Sequence, residues 1–264
     1  MSKIFIFDVD GTLTPSRLPM TKEFQKFFKQ WVKKNKFYLV TGSDLPKLQE
    51  QICYFDIEAE RIFTCCGNQM WKPDPHIVNI SAELIYENKF EMSTKLKNTL
   101  EVILMGSSYR YRYGNHIEDR GSMVNFSIVG RDCTQEQREE YFEWDHKYKE
   151  RLKIANIIKS KAKGIDATIG GQISIDIYPK GHDKSQIFKH IEEIENIYCP
   201  DEYIFIGDRT MEGGNDYPLA KLMDKTENCR FFQTDGWRRT KLKLQYLEDE
   251  DNSIYKTYTR GRTK

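Results

Sequence analysis

Nothing in these 264 residues approaches the length of a membrane span, and neither sign of charge dominates: 41 Lys and Arg stand against 40 Asp and Glu. The first absence argues against a membrane-embedded chain. The second, a formal net charge of +1, removes the strong nonspecific attraction to nucleic acid or anionic lipid that a basic protein feels. Neither a nucleic-acid nor a membrane partner is therefore expected. No C-x-x-C pair occurs among Cys53, Cys65, Cys66, Cys133, Cys199 and Cys229. The adjacent Cys65-Cys66 is poor geometry for a mutual bridge and incomplete as a zinc site. The thiols read as reduced, in a cytoplasmic setting. The apolar run near the N-terminus is cut off at Asp8, too short for a signal peptide. There are no internal repeats. Charged residues make up 31% and aromatics 13%, so the chain reads as globular, with length for one large domain or two modest ones.

The stretch Ile4-Phe5-Ile6-Phe7-Asp8-Val9-Asp10-Gly11-Thr12-Leu13-Thr14 organises the rest. An unbroken apolar run is a strand buried on both faces, as in a parallel sheet. Asp8 and Asp10 then fall past its C-terminal end, where open α/β sheets place their sites. Two carboxylates that close feel each other's charge, and a bound cation is the usual remedy. Arg17 lies in the following loop. A helix is expected from about residue 22 to 34, then a strand over 37–40 that ends in Thr41-Gly42-Ser43-Asp44. A hydroxyl there, ahead of a helix N-terminus, can hold a phosphoryl oxygen. Position favours Thr41, with Ser43 left open. Residues 61–65 read as a third strand and 72–76 as a loop.

A second module is expected from about residue 81 to 183: a helical region from 82 to about 105, hairpin-like stretches over 109–113, 116–120 and 123–129, one long helix from 134 to about 161, and strands over 166–169 and 172–178. Its alternation is informative. Val124, Phe126 and Ile128 share one face, and Asn125 and Ser127 the other; Ile173, Ile175 and Ile177 oppose Gln172, Ser174 and Asp176. One side packs on helices and the other offers polar groups, with Arg112, Arg120 and Arg131 nearby. That combination suits a sugar bearing a phosphate. Lys184, at the return to the first module, can neutralise phosphoryl charge. A last buried strand over 203–206 ends in Gly207-Asp208, and Asp216 follows two glycines: an acidic loop suited to Mg²⁺. An edge strand at 229–232 and a final helix over 235–246 complete the core. From residue 247 the charged tail is expected to fray.

Asp8/Asp10, Thr41-Gly42-Ser43, and Lys184 with Asp208/Asp216 resemble, in order, the motifs of the haloacid dehalogenase superfamily. A narrower resemblance is to the eukaryotic-type phosphomannomutases, carried by residues 8–17, 42–44, 125–133, Gly170-Gly171-Gln172-Ile173-Ser174-Ile175-Asp176, and the stretch from Gly207 to Asp216. The resemblance implies a doubly wound α/β core (residues 1–80 and 184–246) with an inserted α/β cap (81–183) and a polar tail (247–264). It implies a phosphohexomutase that interconverts hexose 6-phosphate and hexose 1-phosphate. Asp8 would be the nucleophile, Asp10 the acid and base, and Mg²⁺ would sit on Asp8, Asp10 (through its carbonyl) and Asp208, with Asp216 in support. Lys184 and the Thr41/Ser43 region would steady the phosphoryl group. Arg17, Arg120, Arg131, Ser174 and Asp176 would grip the substrate, joined by Arg112 and Asn125. A hexose bisphosphate activator and a homodimer through the cap are also implied.

Two stretches depart from that family: Tyr113 stands where it carries an arginine, and Cys65-Cys66-Gly67-Asn68 where it has Glu-Asn-Gly. The alternative function is a phosphatase of the same superfamily acting on a small phosphorylated metabolite.

Overall fold

In the computed structural model, residues 2–52, 59–74, 82–196 and 200–260 are described, with side chains up to residue 250. The N-terminal run forms β1 (Lys3–Asp8), which is buried from Ile4 onward. It pairs in parallel with β2 (Lys36–Val40) on one side and β10 (Glu202–Gly207) on the other. The larger sheet has seven strands in the order β11-β10-β1-β2-β3-β4-β5. Its outer members are β11 (Cys229–Gln233), β3 (Ile62–Thr64), β4 (Gln69–Pro73) and β5 (Ala82–Glu87). β3 to β5 form an antiparallel meander at one edge, and the remaining pairings are parallel.

Both faces of β1 are covered, for the reason its sequence shows no alternation. Phe5 and Phe7 point into an aromatic cluster with Phe24, Phe28 and Trp31 of α1 (Lys22–Trp31); the Phe5 and Trp31 rings lie 4.7 Å apart, edge to face. Each such ring contributes roughly 2 kcal/mol when fully buried. Ile4 and Ile6 point the other way, onto Ile187, Phe188 and Ile191 of α6 (Gln186–Glu195) and Leu219 of α7 (Tyr217–Met223). Helices on both faces of a mainly parallel sheet make the core doubly wound.

The second sheet has four antiparallel strands in the order β6-β7-β9-β8: β6 (Ile117–Asp119), β7 (Val124–Phe126), β8 (Ile165–Gly170) and β9 (Ser174–Pro179). Val124, Phe126, Ile173, Ile175 and Ile177 pack with Leu96 and Leu100 of α3 (Thr94–Gly106) and with Ile154 and Ile158 of α5 (Glu150–Lys161). The polar face turns the other way, toward the ends of β1 and β2.

Several local expectations are corrected. The region from 82 does not open as a helix. Ala82–Glu87 pairs with β4 as the seventh core strand, and the helix begins only after Ser93 caps it by accepting from Leu96 N. The chain thus leaves the larger sheet after Glu87, later than the crossing near 80, which itself lies outside the described residues. β4 extends through Pro73, so 72–73 is strand. Residues 109–113 form no strand, and the ladder that includes 172–178 starts at Ser174. The long helix is two: α4 (Gln135–Tyr148) stops at Lys149, whose φ is 54°, and α5 follows. Asp145 ends the first by reaching forward to accept from Arg151 N at 2.8 Å, which caps the second. The final helix, α8 (Trp237–Arg260), runs far beyond 246, with Leu244 and Leu247 buried against the core. The tail expected to fray from 247 is therefore helical to Arg260. No described helix is long and apolar enough to cross a membrane.

Candidate active site

One cavity lies where the C-terminal ends of β1, β2 and β10 face the polar side of the smaller sheet. Its lining includes Asp8, Asp10, Arg17, Thr41, Ser43, Arg120, Asn125, Arg131, Ser174, Asp176 and Asp208. Of the sequence-predicted residues, Lys184 sits directly behind it, bonded to both Asp8 and Asp216, and Arg112 is elsewhere. The Arg112 guanidinium donates to carbonyl oxygens of Leu104, Tyr109 and Tyr111, holding the end of α3.

At the core side, the fully buried Lys184 ammonium donates to Asp8 Oδ1 at 2.6 Å and to Asp216 Oδ1 at 2.7 Å. Asp8 Oδ2 accepts from Thr12 Oγ1 at 3.1 Å. Asp216 Oδ2 accepts from the backbone N–H of Arg209 at 2.9 Å. Carboxylate oxygens of Asp8, Asp208 and Asp216 lie within 4.8 Å of one another. So dense a set of acids disfavours full ionisation. Burial pushes the Asp8 carboxyl well above the usual range, against the pull of Lys184; the charges of Asp216 and Asp208 push it further up. Burial likewise carries Asp208 up to about 7, with Arg209 pulling down and Asp216 pushing up. Burial works against the Lys184 charge, but Asp216 and Asp8 prevail and hold its ammonium well above the ordinary value. Gly11, with φ of 80°, lets the backbone turn past Asp208: a Cβ there would stand 2.7 Å from Asp208 Oδ2.

Asp10 is half-buried and oriented from behind. Its Oδ1 accepts from Gln51 Nε2 at 2.9 Å and from Arg17 N at 2.5 Å. Thr41 and Ser43 are both buried on the opposite wall, with Thr41 Oγ1 accepting from Ser43 N at 3.0 Å.

The smaller sheet supplies the far wall. Asp176 accepts from Asn125 Nδ2 at 2.7 Å and from Asn215 Nδ2 at 3.0 Å, so it ties β9 to β7 and to the acidic loop of the core. Gly42 makes room for it: a Cβ would come 2.7 Å from Asp176 Oδ2. Arg131 donates to Ser174 Oγ at 2.8 Å, and Glu118 receives both Arg120, at 2.5 Å, and Arg131, at 3.1 Å. Arg17, Arg120, Arg131 and Arg138 all line the cavity, together with the carboxylates of Asp8, Asp10, Asp176 and Asp208. Burial and then the like charges of Arg17 and Arg120 push the Arg131 guanidinium down to about 9, with Glu118 opposing. Burial lowers Arg138, and Arg17 repels it. Arg120 Nε, Arg131 Nε and Arg138 Nη1 are buried without a hydrogen-bond partner. Buried donors are seldom left so. The cluster is short of an anion.

Sequence reasoning passed over Gln51, Arg138 and Asn215. Gln51 shares the buried face of α2 (Leu45–Gln51) with Leu45 and Leu48, and a polar residue on an apolar face was the available signal. Arg138 lies one turn into α4, seven residues after Arg131 and four after its cap Thr134. Asn215 adjoins Asp216 in a stretch already singled out.

An acid set at the ends of parallel strands, beneath a cap that carries arginines, defines a phosphoryl-transfer enzyme of the haloacid dehalogenase class. Over residues 24–226 the chain matches the eukaryotic phosphomannomutase family, and it belongs to that family. It is 35% identical over 231 residues to a phosphomannomutase of Encephalitozoon cuniculi (strain GB-M1), covering 84% of this chain and 85% of that one. To a phosphomannomutase of Spinacia oleracea it is 35% identical over 222 residues, covering 82% and 85%. In fold it resembles the N-terminally truncated, IMP-bound IMP-nucleotidase of Plasmodium falciparum, with a TM-score of 0.60 at 16% identity over 94% of this chain and 68% of that one. A trehalose-6-phosphate phosphatase related protein gives 0.51 at 15% identity, over 95% and 99%. These last two likenesses are of fold.

Proposed function

We propose that this chain interconverts the 6-phosphate and 1-phosphate of mannose or a closely similar hexose by way of a phosphoryl group carried on Asp8. The observation that supports this most is the pair of cationic centres around one cavity: Lys184 beside Asp8, and the arginine cluster of the cap. A hydrolase needs only the first. A mutase must also hold a second phosphate, and the orphaned guanidinium donors suit one.

In this reading Asp8 attacks a phosphorus of the sugar bisphosphate, the bond from phosphorus to the sugar oxygen breaks, and Asp10 gives that oxygen its proton. A hexose monophosphate then presents its free hydroxyl, Asp10 takes the proton, and that oxygen attacks the phosphoryl group on Asp8. The bond from phosphorus to Asp8 breaks, the carboxylate is restored, and the bisphosphate so formed turns to give up its other phosphate in the next round. Gln51 and the Arg17 N–H hold Asp10 by Oδ1, which leaves the second oxygen for the exchange. Lys184 and the hydroxyls of Thr41 and Ser43 steady the moving group. Arg17, Arg120, Arg131, Arg138 and Ser174 take the stationary phosphate, and Asn125 and Asp176 the sugar. Catalysis here is positioning and charge neutralisation.

Hard carboxylate oxygens this close, with the Asp208 carboxyl held up to about 7 by burial and by the charge of Asp216 against the pull of Arg209, suit Mg²⁺. Asp8, Asp208 and the Asp10 carbonyl would hold it. Asp216 is committed to Lys184 and Arg209 N and would brace the loop. The ion would neutralise charge on the phosphoryl oxygens. Free Cys65, Cys66, Cys133 and Cys229 fit a reducing, cytoplasmic setting. A homodimer through the cap is supported by α3, where Val102 and Met105 are exposed.

Incubation with mannose 1-phosphate, Mg²⁺ and a hexose bisphosphate tests the reading. Phosphorus NMR should show mannose 6-phosphate accumulating with phosphate retained. Release of inorganic phosphate alone would make the protein a phosphatase.

A further inference from the structure

The chain passes between the two sheets twice, at residues 88–93 and 180–185, and the two passes touch. Asn68 sits between them with no exposed surface. Its Nδ2 donates to Cys65 O at 2.7 Å and to His182 O at 3.0 Å. Its Oδ1 accepts from Asn88 Nδ2 at 2.8 Å, and its carbonyl accepts from Asn88 N at 2.7 Å. Asn88 Nδ2 also lies 3.1 Å from His182 Nδ1. One buried amide thus joins both passes to the core.

The turn that presents Asn68 is the stretch that departs from the family. Cys65 and Cys66 both adopt left-handed backbone, with φ of 52° and 58°. Two such residues in a row persist only where the surroundings over-determine them, and they cluster at functional sites. Here the surroundings are the site itself. Cys65 N donates to Ser43 O at 3.0 Å and Cys66 N to Thr41 O at 2.9 Å. Gln186 Nε2 donates to Cys66 O at 3.1 Å, two residues beyond Lys184. The turn therefore braces the Thr41 and Ser43 wall on one side and both passes on the other.

We propose that Asn68, with Asn88 and His182, is a pin that sets the arginine-bearing cap over Asp8 and so decides whether the phosphoryl group goes to sugar or to water. The proposal rests on the mutase reading. Two acceptors compete for the group on Asp8. A sugar hydroxyl attacks phosphorus, the bond to Asp8 breaks, and a sugar phosphate forms as the proton passes to Asp10. Water attacking the same phosphorus breaks the same bond, gives inorganic phosphate and passes its proton to the same base. The sugar wins only because the cap holds it in place. Asn68 touches no substrate; it is a positioning residue.

The test uses the full chain with Mg²⁺, mannose 1-phosphate and a hexose bisphosphate, and counts inorganic phosphate released per sugar phosphate isomerised. Asn88→Ala removes the bond to Asn68 Oδ1 and the approach to His182 while leaving the cysteine turn bonded. Asn68→Ser removes every side-chain link. Leu100→Ala, in the cap core, is the comparison for destabilisation alone. Asn88→Ala should raise the ratio about fivefold, the factor set by one ordinary hydrogen bond, and Asn68→Ser should raise it further. In metal-free protein, Asn88→Ala should also speed amide hydrogen exchange across residues 180–185. If Asn68→Ser fails to fold, the half-buried Asn88 site carries the test. An unchanged ratio in Asn88→Ala, or an equal rise in Leu100→Ala, overturns the pin while wild-type mutase activity stands. Wild-type protein that releases only inorganic phosphate instead overturns the mutase reading beneath it.

Discussion

Removing divalent cations and raising the pH from about 5 to about 8 should weaken this protein. The Asp208 side chain is 15% exposed, and burial lifts its carboxyl from the ordinary 3.8 to about 7. Between those values the folded chain keeps a proton that the unfolded chain has released. The stability this group contributes is full below the ordinary value, declines as the pH rises, and is gone once the pH passes about 7. About three units at roughly 1.4 kcal/mol each give on the order of 4 kcal/mol in all, of which the two units above about pH 5 account for on the order of 3 kcal/mol. Asp8, raised by burial, acts in the same direction. A bound cation takes over the proton's role, so Mg²⁺ should flatten the decline, and its affinity should weaken below about pH 7. Urea unfolding followed by circular dichroism, in chelator and in Mg²⁺, measures this. The Asp208→Asn protein has no proton to lose at this site and supplies the slope due to everything else. If wild-type and Asp208→Asn proteins in chelator change in parallel with pH, the reasoning about the acid cluster is wrong.

Other perturbations reach separate parts of the account. Lys184→Met leaves the Asp8 and Asp216 carboxylates buried and unpaired, and should destabilise the metal-free protein by about 3–5 kcal/mol in urea melts while abolishing turnover. Arg138→Ala removes one charge-assisted donor from the stationary phosphate and should lower kcat/KM by roughly thirtyfold, about 2 kcal/mol. It should leave the Mg²⁺ dependence of stability unchanged. Met105→Glu places a charge on the exposed face of α3 and should convert a dimer to a monomer in sedimentation velocity, with each subunit still folded.

Much of this geometry was legible because a parallel sheet gathers its strand ends. Asp8, Thr41 and Asp208 each follow a short apolar run, so their convergence at one rim follows from topology alone. The polar face of the smaller sheet was legible from a period of two in residues 124–128 and 172–177. What lacked a period was misplaced. Residues 109–113 are irregular, so nothing local told whether Arg112 faced the cavity, and its guanidinium lies instead against the end of α3. The break at Lys149 depends on Asp145 reaching six residues ahead, an interaction that helical periodicity does not encode. Ala82–Glu87 carries residues that suit either helix or strand, and pairing with β4 decided it. Arg138 fell inside the helix expected from 134 and was not singled out, yet the fold turns it inward, among arginines 120 and 131 and the Arg17 loop.

The central claim is that the phosphoryl group passes through Asp8, and a quenched-flow experiment tests it directly. Enzyme mixed with Mg²⁺ and hexose bisphosphate, stopped in acid and digested, should yield the peptide spanning Asp8 heavier by one phosphoryl group. With the transferable phosphate of the bisphosphate isotopically marked, the mark should leave the peptide for sugar phosphate when excess unmarked mannose 1-phosphate is added before the quench. Sugar phosphate isomerised at full rate with the label on another residue, or with no labelled peptide at any time, would contradict the account.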